Sequence, residues 1–389
     1  MIANPPNPVA AFFEEVCLQE PVLRRRGLQR GMLPFRPASE RRLDALRRRR
    51  GRVPALATIY RERRARFRGG SLATVVLGGF VPDATEALHC QRRLLRGYGD
   101  VYYVNYPRDG FDREALHAQL ADLLVDLGAR GESAVLFGIS FGCGLLGDFL
   151  AEERLGAAEH VAGVLWVSPV LSVEDLTGPR PSGPRALTSE RRACSLVGRV
   201  CLPMLEPDAA RDGDASVRNG RRFFGKLFTA GSQNRRAMRR LRWRRQGAFL
   251  KARILETVAE ISSEGARQRL ALLRPTCPLA AGEWPQPLLA RPALAIFAEQ
   301  EDAVLSAVAP VRRLLAEGRT EILPRVTTEV ARSEEPGDTV QHASLIFHSQ
   351  AYNPAIERFY EALRGGAGIF GARALALAGG SLRRLRGLG

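Results

Sequence analysis

Short apolar runs alternate with longer amphipathic segments along most of this chain. The apolar runs predict buried β-strands at Ala73–Leu77, Val101–Tyr106, Ala134–Phe137, Val161–Val167, Pro292–Phe297 and Thr320–Leu323. The amphipathic segments predict helices at Asp83–Leu95, Asp112–Leu127, Cys143–Glu153, Ser306–Ala316 and Asn353–Leu363. Strands that alternate with helices of roughly ten to fifteen residues are typical of a mostly parallel sheet with helices on both faces. The predicted fold class is therefore α/β.

The alternation stops after the strand that ends at Val167 and resumes at Pro292. Residues 176–286 carry Pro/Gly-rich turns and then arginine-rich segments with an apolar face, which predicts a largely helical cap inserted into the core. We divide the chain into a basic N-terminal extension (1–70, with a helix from Ser39 to Arg50), a core in two parts (71–175 and 287–365), the cap (176–286) and a flexible tail (366–389).

Positive charge is concentrated in two segments of the chain. The formal net charge is +17, to which residues 1–70 contribute +11 and residues 191–253 contribute +13, so the remainder is mildly acidic. Nearly all basic residues are arginine, and we do not expect a nucleic-acid partner from this distribution. The two basic segments leave open a peripheral contact with an anionic membrane.

The cysteines are scattered along the chain, at Cys17, Cys90, Cys143, Cys194, Cys201 and Cys277. They form no CxxC pair and have no histidine at zinc-ligand spacing. We therefore expect free thiols, a reducing cytoplasmic location, and neither a metal nor another cofactor. Residues 1–20 lack the basic and apolar regions of a secretory signal, and no apolar run is long enough to predict a membrane span.

The most informative segment is Gly138-Ile139-Ser140-Phe141-Gly142, which lies between a predicted strand and a predicted helix. A serine at the apex of such a turn has a strained backbone that crowds the residues two positions away. Glycine at 138 and 142 relieves this crowding and leaves the hydroxyl exposed above the sheet. The segment therefore predicts a nucleophile elbow with Ser140 as the nucleophile.

The glycines Gly142, Gly144 and Gly147 also match the G-x-G-x-x-G pattern of dinucleotide-binding sites. That pattern requires a strand that runs directly into the first glycine and an acidic residue at the end of the next strand. Here four residues separate the strand from Gly142, and the next strand ends in Ser168-Pro169. We therefore favour the nucleophile over the nucleotide site.

A serine hydroxyl needs a base to remove its proton, and the usual base is a histidine that a carboxylate orients. His342 lies in a loop between the last predicted strand and the closing helix, from which its ring can reach the elbow. The other histidines, His89, His117, His160 and His348, lie in or before other elements. We therefore predict His342 as the base.

The carboxylate should follow the predicted strand that ends at Phe297. Three acidic residues crowd there (Glu299, Glu301 and Asp302), and Asp175 is a weaker fourth candidate after the preceding strand. We favour Asp302, because an apolar turn follows it into the next helix, but the residues alone leave the choice among the three open.

The negative charge that develops on a substrate carbonyl oxygen needs fixed hydrogen-bond donors. We predict that one donor is the backbone N–H of Phe141, directly after the nucleophile at the start of a helix. The second predicted donor is the N–H of Phe80, because Gly78-Gly79 lets the backbone after the first strand approach closely.

Together, these features resemble the α/β-hydrolase superfamily over roughly residues 71–365. The resemblance rests on the elbow, the order Ser140, acid, His342, and the closing helix after the histidine. Two features depart from the superfamily. Gly78-Gly79 stands where His-Gly is common, and the interval from Asp302 to His342 is longer than usual, which requires an extra loop over 327–338.

The resemblance implies a serine hydrolase that cleaves a small-molecule carboxylic ester or thioester through an acyl-enzyme, with the cap selecting the substrate. Two alternatives remain open. An acyltransferase would use the same residues with an alcohol or amine in place of water. A non-catalytic protein with a hydrolase fold would use its basic segments to bind anionic lipid or nucleic acid. The sequence predicts no oligomeric state.

Overall fold

A computed structural model of the chain describes residues 32–52, 55–64, 72–80, 84, 91–152, 156–178, 194–199, 259–273, 290–312, 323–345 and 347–365. In these ranges a single eight-stranded sheet forms the centre of the molecule. Its strands are β1 (Met32–Pro34), β2 (Thr58–Glu62), β3 (Leu72–Leu77), β4 (Val101–Asn105), β5 (Ser133–Ile139), β6 (Val161–Val167), β7 (Ala293–Ala298) and β8 (Val326–Ala331).

The strand order is β1-β2-β4-β3-β5-β6-β7-β8. All pairs from β4 to β8 are parallel, whereas β1 and β2 join the β4 edge in antiparallel orientation. Every residue of β3 and β7 is buried, as expected for parallel strands that are covered on both faces. The predicted α/β class and mostly parallel sheet are confirmed.

Helices cover the two faces of the sheet. They are α1 (Arg41–Arg50), α2 (Arg92–Leu95), α3 (Arg113–Ala129), α4 (Phe141–Glu152), α5 (Val173–Thr177), α6 (Ser263–Leu272) and α7 (Ser349–Arg364), with a 3₁₀-helix at Ala157–His160. Side chains of α3 and α4 pack in one buried cluster, and those of α2 and α7 pack in a second. No described helix is both long enough and apolar enough to cross a bilayer.

The sheet begins earlier in the chain than the sequence analysis predicts. Strands β1 and β2 precede residue 71 but belong to the same sheet as the core strands. Between them, α1 begins at Arg41 rather than at Ser39, and its N-cap residue, Glu40, makes no side-chain cap. The carboxylate of Asp122 on α3 instead accepts bonds from the N–H groups of Arg42 and Leu43 (3.0 and 3.1 Å). The cap is thus supplied by a residue far away in the sequence.

The last strand also differs from its prediction. Residues 320–322 lie outside the described ranges, Leu323 lies in a turn, and the strand is β8, which begins at Val326. The segment predicted as an extra loop therefore contributes an edge strand before the loop begins. Most of the predicted cap (176–286) and all of the predicted tail (366–389) lie outside the described residues, as does most of the helix predicted at 83–95.

Candidate active site

Ser140 lies at the turn between β5 and α4. Its φ of 51° is in the left-handed region, which is unfavourable for a residue with a Cβ atom. Three backbone hydrogen bonds hold the turn: the Ser140 N–H donates to Val167 O (2.8 Å), and the Ser140 carbonyl accepts from the N–H groups of Cys143 (3.0 Å) and Val170 (3.2 Å). Ser140 itself is partly exposed.

The two flanking glycines are required by the packing of this turn. A Cβ at Gly138 would lie 2.8 Å from Cys143 Cα. A Cβ at Gly142 would collide with Leu77 O and would lie 2.7 Å from Gly78 O. The start of α4 therefore rests directly on the backbone at the end of β3. The other two glycines of the rival dinucleotide pattern, Gly144 and Gly147, lie within α4, where a Cβ at Gly144 would lie 2.7 Å from Val170 O.

The structure brings His342 to Ser140. Its Nε2 lies 2.9 Å from Ser140 Oγ, and its Nδ1 is hydrogen-bonded to Oε2 of Glu301. An ionised carboxylate can only accept, so with Glu301 ionised Nδ1 carries the proton and Nε2 is left to accept the hydrogen of the serine hydroxyl. Glu301 is only 4% exposed, and its Oε1 accepts from the N–H of Ala298 (2.7 Å). The acid is thus fixed on both oxygens.

The favoured acid, Asp302, does not contact the histidine. Its side chain is 74% exposed and forms an ion pair with Arg312 (2.8 Å). The third candidate, Glu299, lies 3.9 Å from Arg332. The structure therefore places Glu301, and not the predicted Asp302, beside His342.

The pairing of two loops explains this choice. After β7, Gln300 forms an isolated parallel bridge with Gln341, and its N–H donates to Val340 O (2.9 Å). The bridge places the next residues, Glu301 and His342, beside each other. The Glu301 carbonyl then accepts from the N–H groups of Val304 and Leu305, which closes a turn. This turn directs the Asp302 side chain outward.

Asp175, the weaker fourth candidate, has a structural role. It is fully buried, and its carboxylate accepts from the N–H groups of Leu171 (2.8 Å), Ser172 (3.0 Å) and Val311 (2.8 Å). Burial raises the pKa of Asp175 to about 6, while these bonds act to lower it. It joins the start of α5 to the segment after β7 and does not approach His342 through any of these contacts.

Ser168, a buried residue directly after β6, is not among the residues predicted from the sequence. Ser168 has a φ of 47°, and its Oγ accepts from the N–H of Ala343 (2.9 Å), whose own φ is 48°. Ala343 follows His342 in the chain, so this bond fixes the backbone next to the imidazole. The only sequence signal for this role is the position of Ser168 at a strand end beside the elbow strand.

The two predicted oxyanion donors lie on backbone segments that the structure brings together. Phe141 is the first residue of α4, so its N–H has no acceptor within the helix. Phe80 follows β3, and its ring packs edge-on against the Phe141 ring, with centroids 5.4 Å apart. The rings of Tyr106 and Phe111 also pack around Phe141 (5.9 and 6.4 Å). The role of the Phe141 and Phe80 N–H groups as oxyanion donors stays a prediction.

Neighbouring titratable groups give the site no other nucleophile or metal centre in the described ranges. Cys143 is fully buried, and burial raises the pKa of its thiol well above the usual value, which keeps it protonated. No group of three or more His, Cys, Asp or Glu side chains among the described residues is arranged to hold a metal ion. His117 and His348 bond to other partners, Glu152 and Ser344.

No protein-family model matches this sequence, and neither does any curated protein. The fold, however, is similar to solved structures. An esterase from Thermogutta terrifontis with malate bound has a TM-score of 0.50 and 18% identity, over 79% of this chain and 94% of the esterase. An epoxide hydrolase candidate from Klebsiella pneumoniae has a TM-score of 0.50 and 16% identity, over 85% of this chain and 97% of that protein. The chain therefore has the α/β-hydrolase fold.

Proposed function

We propose that this protein is a serine hydrolase that cleaves a carboxylic ester or thioester through an acyl-enzyme. The observation that supports this proposal best is the continuous chain of hydrogen bonds from Glu301 through His342 to Ser140. A buried carboxylate, a histidine in the appropriate tautomer and a serine held in a strained turn are the groups that nucleophilic acyl transfer requires.

In this mechanism, Ser140 Oγ attacks the carbonyl carbon of the substrate while His342 Nε2 takes the hydroxyl proton. The resulting imidazolium is stabilised by Glu301, which stays ionised. The tetrahedral intermediate collapses when the C–O or C–S bond breaks, and the leaving alcohol or thiol takes the proton from Nε2. The product of this half-reaction is an ester between the acyl group and Ser140.

Water completes the cycle. His342 removes a proton from a water molecule, which attacks the acyl-enzyme, and the same proton returns to Ser140 Oγ as the carboxylic acid leaves. In both halves the N–H groups of Phe141 and Phe80 would stabilise the charge on the carbonyl oxygen. The partly exposed ring of Phe80 favours an apolar acyl group at this end of the site.

The test is covalent labelling with a fluorophosphonate, which reacts with activated serines. We expect labelling of the full-length protein, with hydrolysis of p-nitrophenyl butyrate or a butyryl thioester, and complete loss of both in Ser140→Ala. Ser133→Ala is the matched control, because Ser133 is an exposed serine at the start of the same strand. Labelling that persists in Ser140→Ala would reject the nucleophile, and a wild-type protein that neither labels nor hydrolyses would reject the proposed function.

A further inference from the structure

Arg269 is a completely buried arginine on α6, a helix within the segment predicted as the cap (176–286). Its Nη1 donates to the carbonyl oxygen of Phe80 (2.6 Å), and its Nη2 donates to the carbonyl oxygen of Pro107 (2.9 Å). Removing a guanidinium from water is costly even when its hydrogen bonds are satisfied. A buried arginine that donates to backbone carbonyl oxygens therefore indicates that the backbone segment carrying those oxygens must be held in a fixed position.

That segment is the loop after β3, which carries the predicted donor at Phe80. The Tyr106 hydroxyl donates to the carbonyl oxygen of Gly78 (2.9 Å), two residues earlier in the same loop. The Arg269 guanidinium also lies over the Tyr106 ring, 5.2 Å from its centroid. Arg269 and Tyr106 thus form one stacked pair that holds carbonyl oxygens on both sides of the Phe80 N–H.

The held loop is in contact with the nucleophile turn. The absence of a side chain at Gly142 lets the carbonyl oxygens of Leu77 and Gly78 approach the start of α4. The rings of Phe80 and Phe141 pack against each other at the same place. The energy of a hydrogen bond to a developing charge depends steeply on distance. A shift of this loop would therefore weaken the bond from the Phe80 N–H to the oxyanion of the substrate.

The helix that carries Arg269 is itself fastened to the core. The Ser262 N–H donates to Arg108 O (3.0 Å), the side chain of Gln268 accepts from the Phe111 N–H, and Leu273 O accepts from the Val173 N–H (3.2 Å). These contacts lie before, along and after α6. The guanidinium is therefore presented to the loop from a fixed position.

We propose that Arg269, together with Tyr106, is a positioning residue that places the loop after β3 for stabilisation of the oxyanion. This inference rests on the proposed function. It predicts a defect that appears in the transition state and not in substrate binding or in the titration of His342. It also gives a role in catalysis to α6, a helix that lies outside the predicted core ranges.

The test uses the full-length protein with Arg269→Met, which keeps much of the side-chain volume, and Tyr106→Phe, which removes one hydroxyl. Arg267→Met is the matched control, because Arg267 is an exposed arginine on the same helix. For each variant we would measure kcat and KM for p-nitrophenyl butyrate, the pH profile of kcat/KM, and inhibition by an alkyl trifluoromethyl ketone, which forms an oxyanion on Ser140.

We expect kcat to fall about 10- to 100-fold in Arg269→Met and about 10-fold in Tyr106→Phe, with a matching loss of ketone affinity. KM should change by less than about threefold, and the pH profile should keep its midpoint. If Arg269→Met fails to fold, as judged by circular dichroism, Tyr106→Phe decides the outcome. A rise in KM alone, or unchanged ketone affinity in folded variants of an active wild-type protein, would overturn the inference and leave the proposed function intact. An inactive wild-type protein would reject the proposed function itself.

Discussion

Two neighbouring acidic residues at the candidate site differ in the orientation of their side chains. Glu301 and Asp302 are adjacent in the sequence, but one is buried against His342 and the other is an exposed ion-pair partner of Arg312. Glutamate also has one more methylene than aspartate, so its carboxylate can reach the imidazole while accepting from the Ala298 N–H. The difference is therefore one of position and burial.

Glu301→Gln should lower kcat about 10³- to 10⁴-fold, because the amide can donate to Nδ1 and stabilise the wrong tautomer of His342. Asp302→Asn is the matched control, and its kcat should stay within about twofold of the wild type. The measurement is steady-state hydrolysis of p-nitrophenyl butyrate by both variants. Equal losses in the two variants would show that the acid assigned from the geometry is not the functional one.

At the scale of elements, the site depends on how strand ends and loops pair. The parallel bridge between Gln300 and Gln341 brings the acid and the base together from segments 41 residues apart. The closing helix α7 follows that loop and packs against the sheet. Its buried Tyr360 shares a hydrogen bond of 2.7 Å with Thr74 on β3. Burial raises the pKa of Tyr360, so its hydroxyl stays protonated.

Tyr360→Phe should lower the free energy of unfolding by about 1–3 kcal/mol, because the Thr74 hydroxyl loses its partner in a buried position. Thr74→Val should have a similar effect. The double variant should be less destabilised than the sum of the two single variants, since both polar groups are then absent. Denaturant unfolding monitored by circular dichroism gives all three values, and strictly additive effects would argue against a coupled pair.

The sequence predicts the central elements well because their patterns are local. The apolar runs of β5 and β6 are recognisable in the sequence as buried strands. The glycines on either side of Ser140 indicate a crowded turn, because they belong to that turn themselves. The choice of Glu301 depends on a bridge between distant loops, which leaves no local pattern. Strand β1 is only three residues long and contains a proline, and β2 carries Arg61 and Glu62, so neither shows the pattern of a buried strand. Glu62 is nevertheless buried, in an ion pair with Arg92.

At the scale of the whole molecule, the described residues of the arginine-rich N-terminal part contribute strands β1 and β2 to the sheet. Strand β2 pairs along the full length of β4, and Glu62 on β2 is buried in an ion pair with Arg92 on α2. Without β2, β4 would become an edge strand with unpaired backbone groups. Arg61, one of the arginines of this part of the chain, thus lies on a strand of the central sheet.

Removal of residues 1–70, the predicted extension, should therefore destabilise the protein, because this segment contains two strands of the central sheet. Loss of the buried Glu62–Arg92 pair alone should cost roughly 3–5 kcal/mol, and the exposed β4 edge should promote aggregation. A chain that begins at Met32 is the matched control and should keep a cooperative thermal transition. Light scattering and thermal melts of the two truncated proteins make the comparison. A stable monomer from residue 71 onward would contradict this prediction.

The three left-handed residues at the site form a closed circuit: Ser140 donates to the residue before Ser168, Ser168 accepts from Ala343, and Ala343 follows the histidine that bonds to Ser140. Each such conformation stores about 1–2 kcal/mol in a residue other than glycine. Directed selection for thermal tolerance would therefore enrich glycine at Ala343, the one position of the three whose side chain makes no hydrogen bond in this circuit. The same substitution would loosen the backbone next to His342, so higher thermal stability would come with slower turnover.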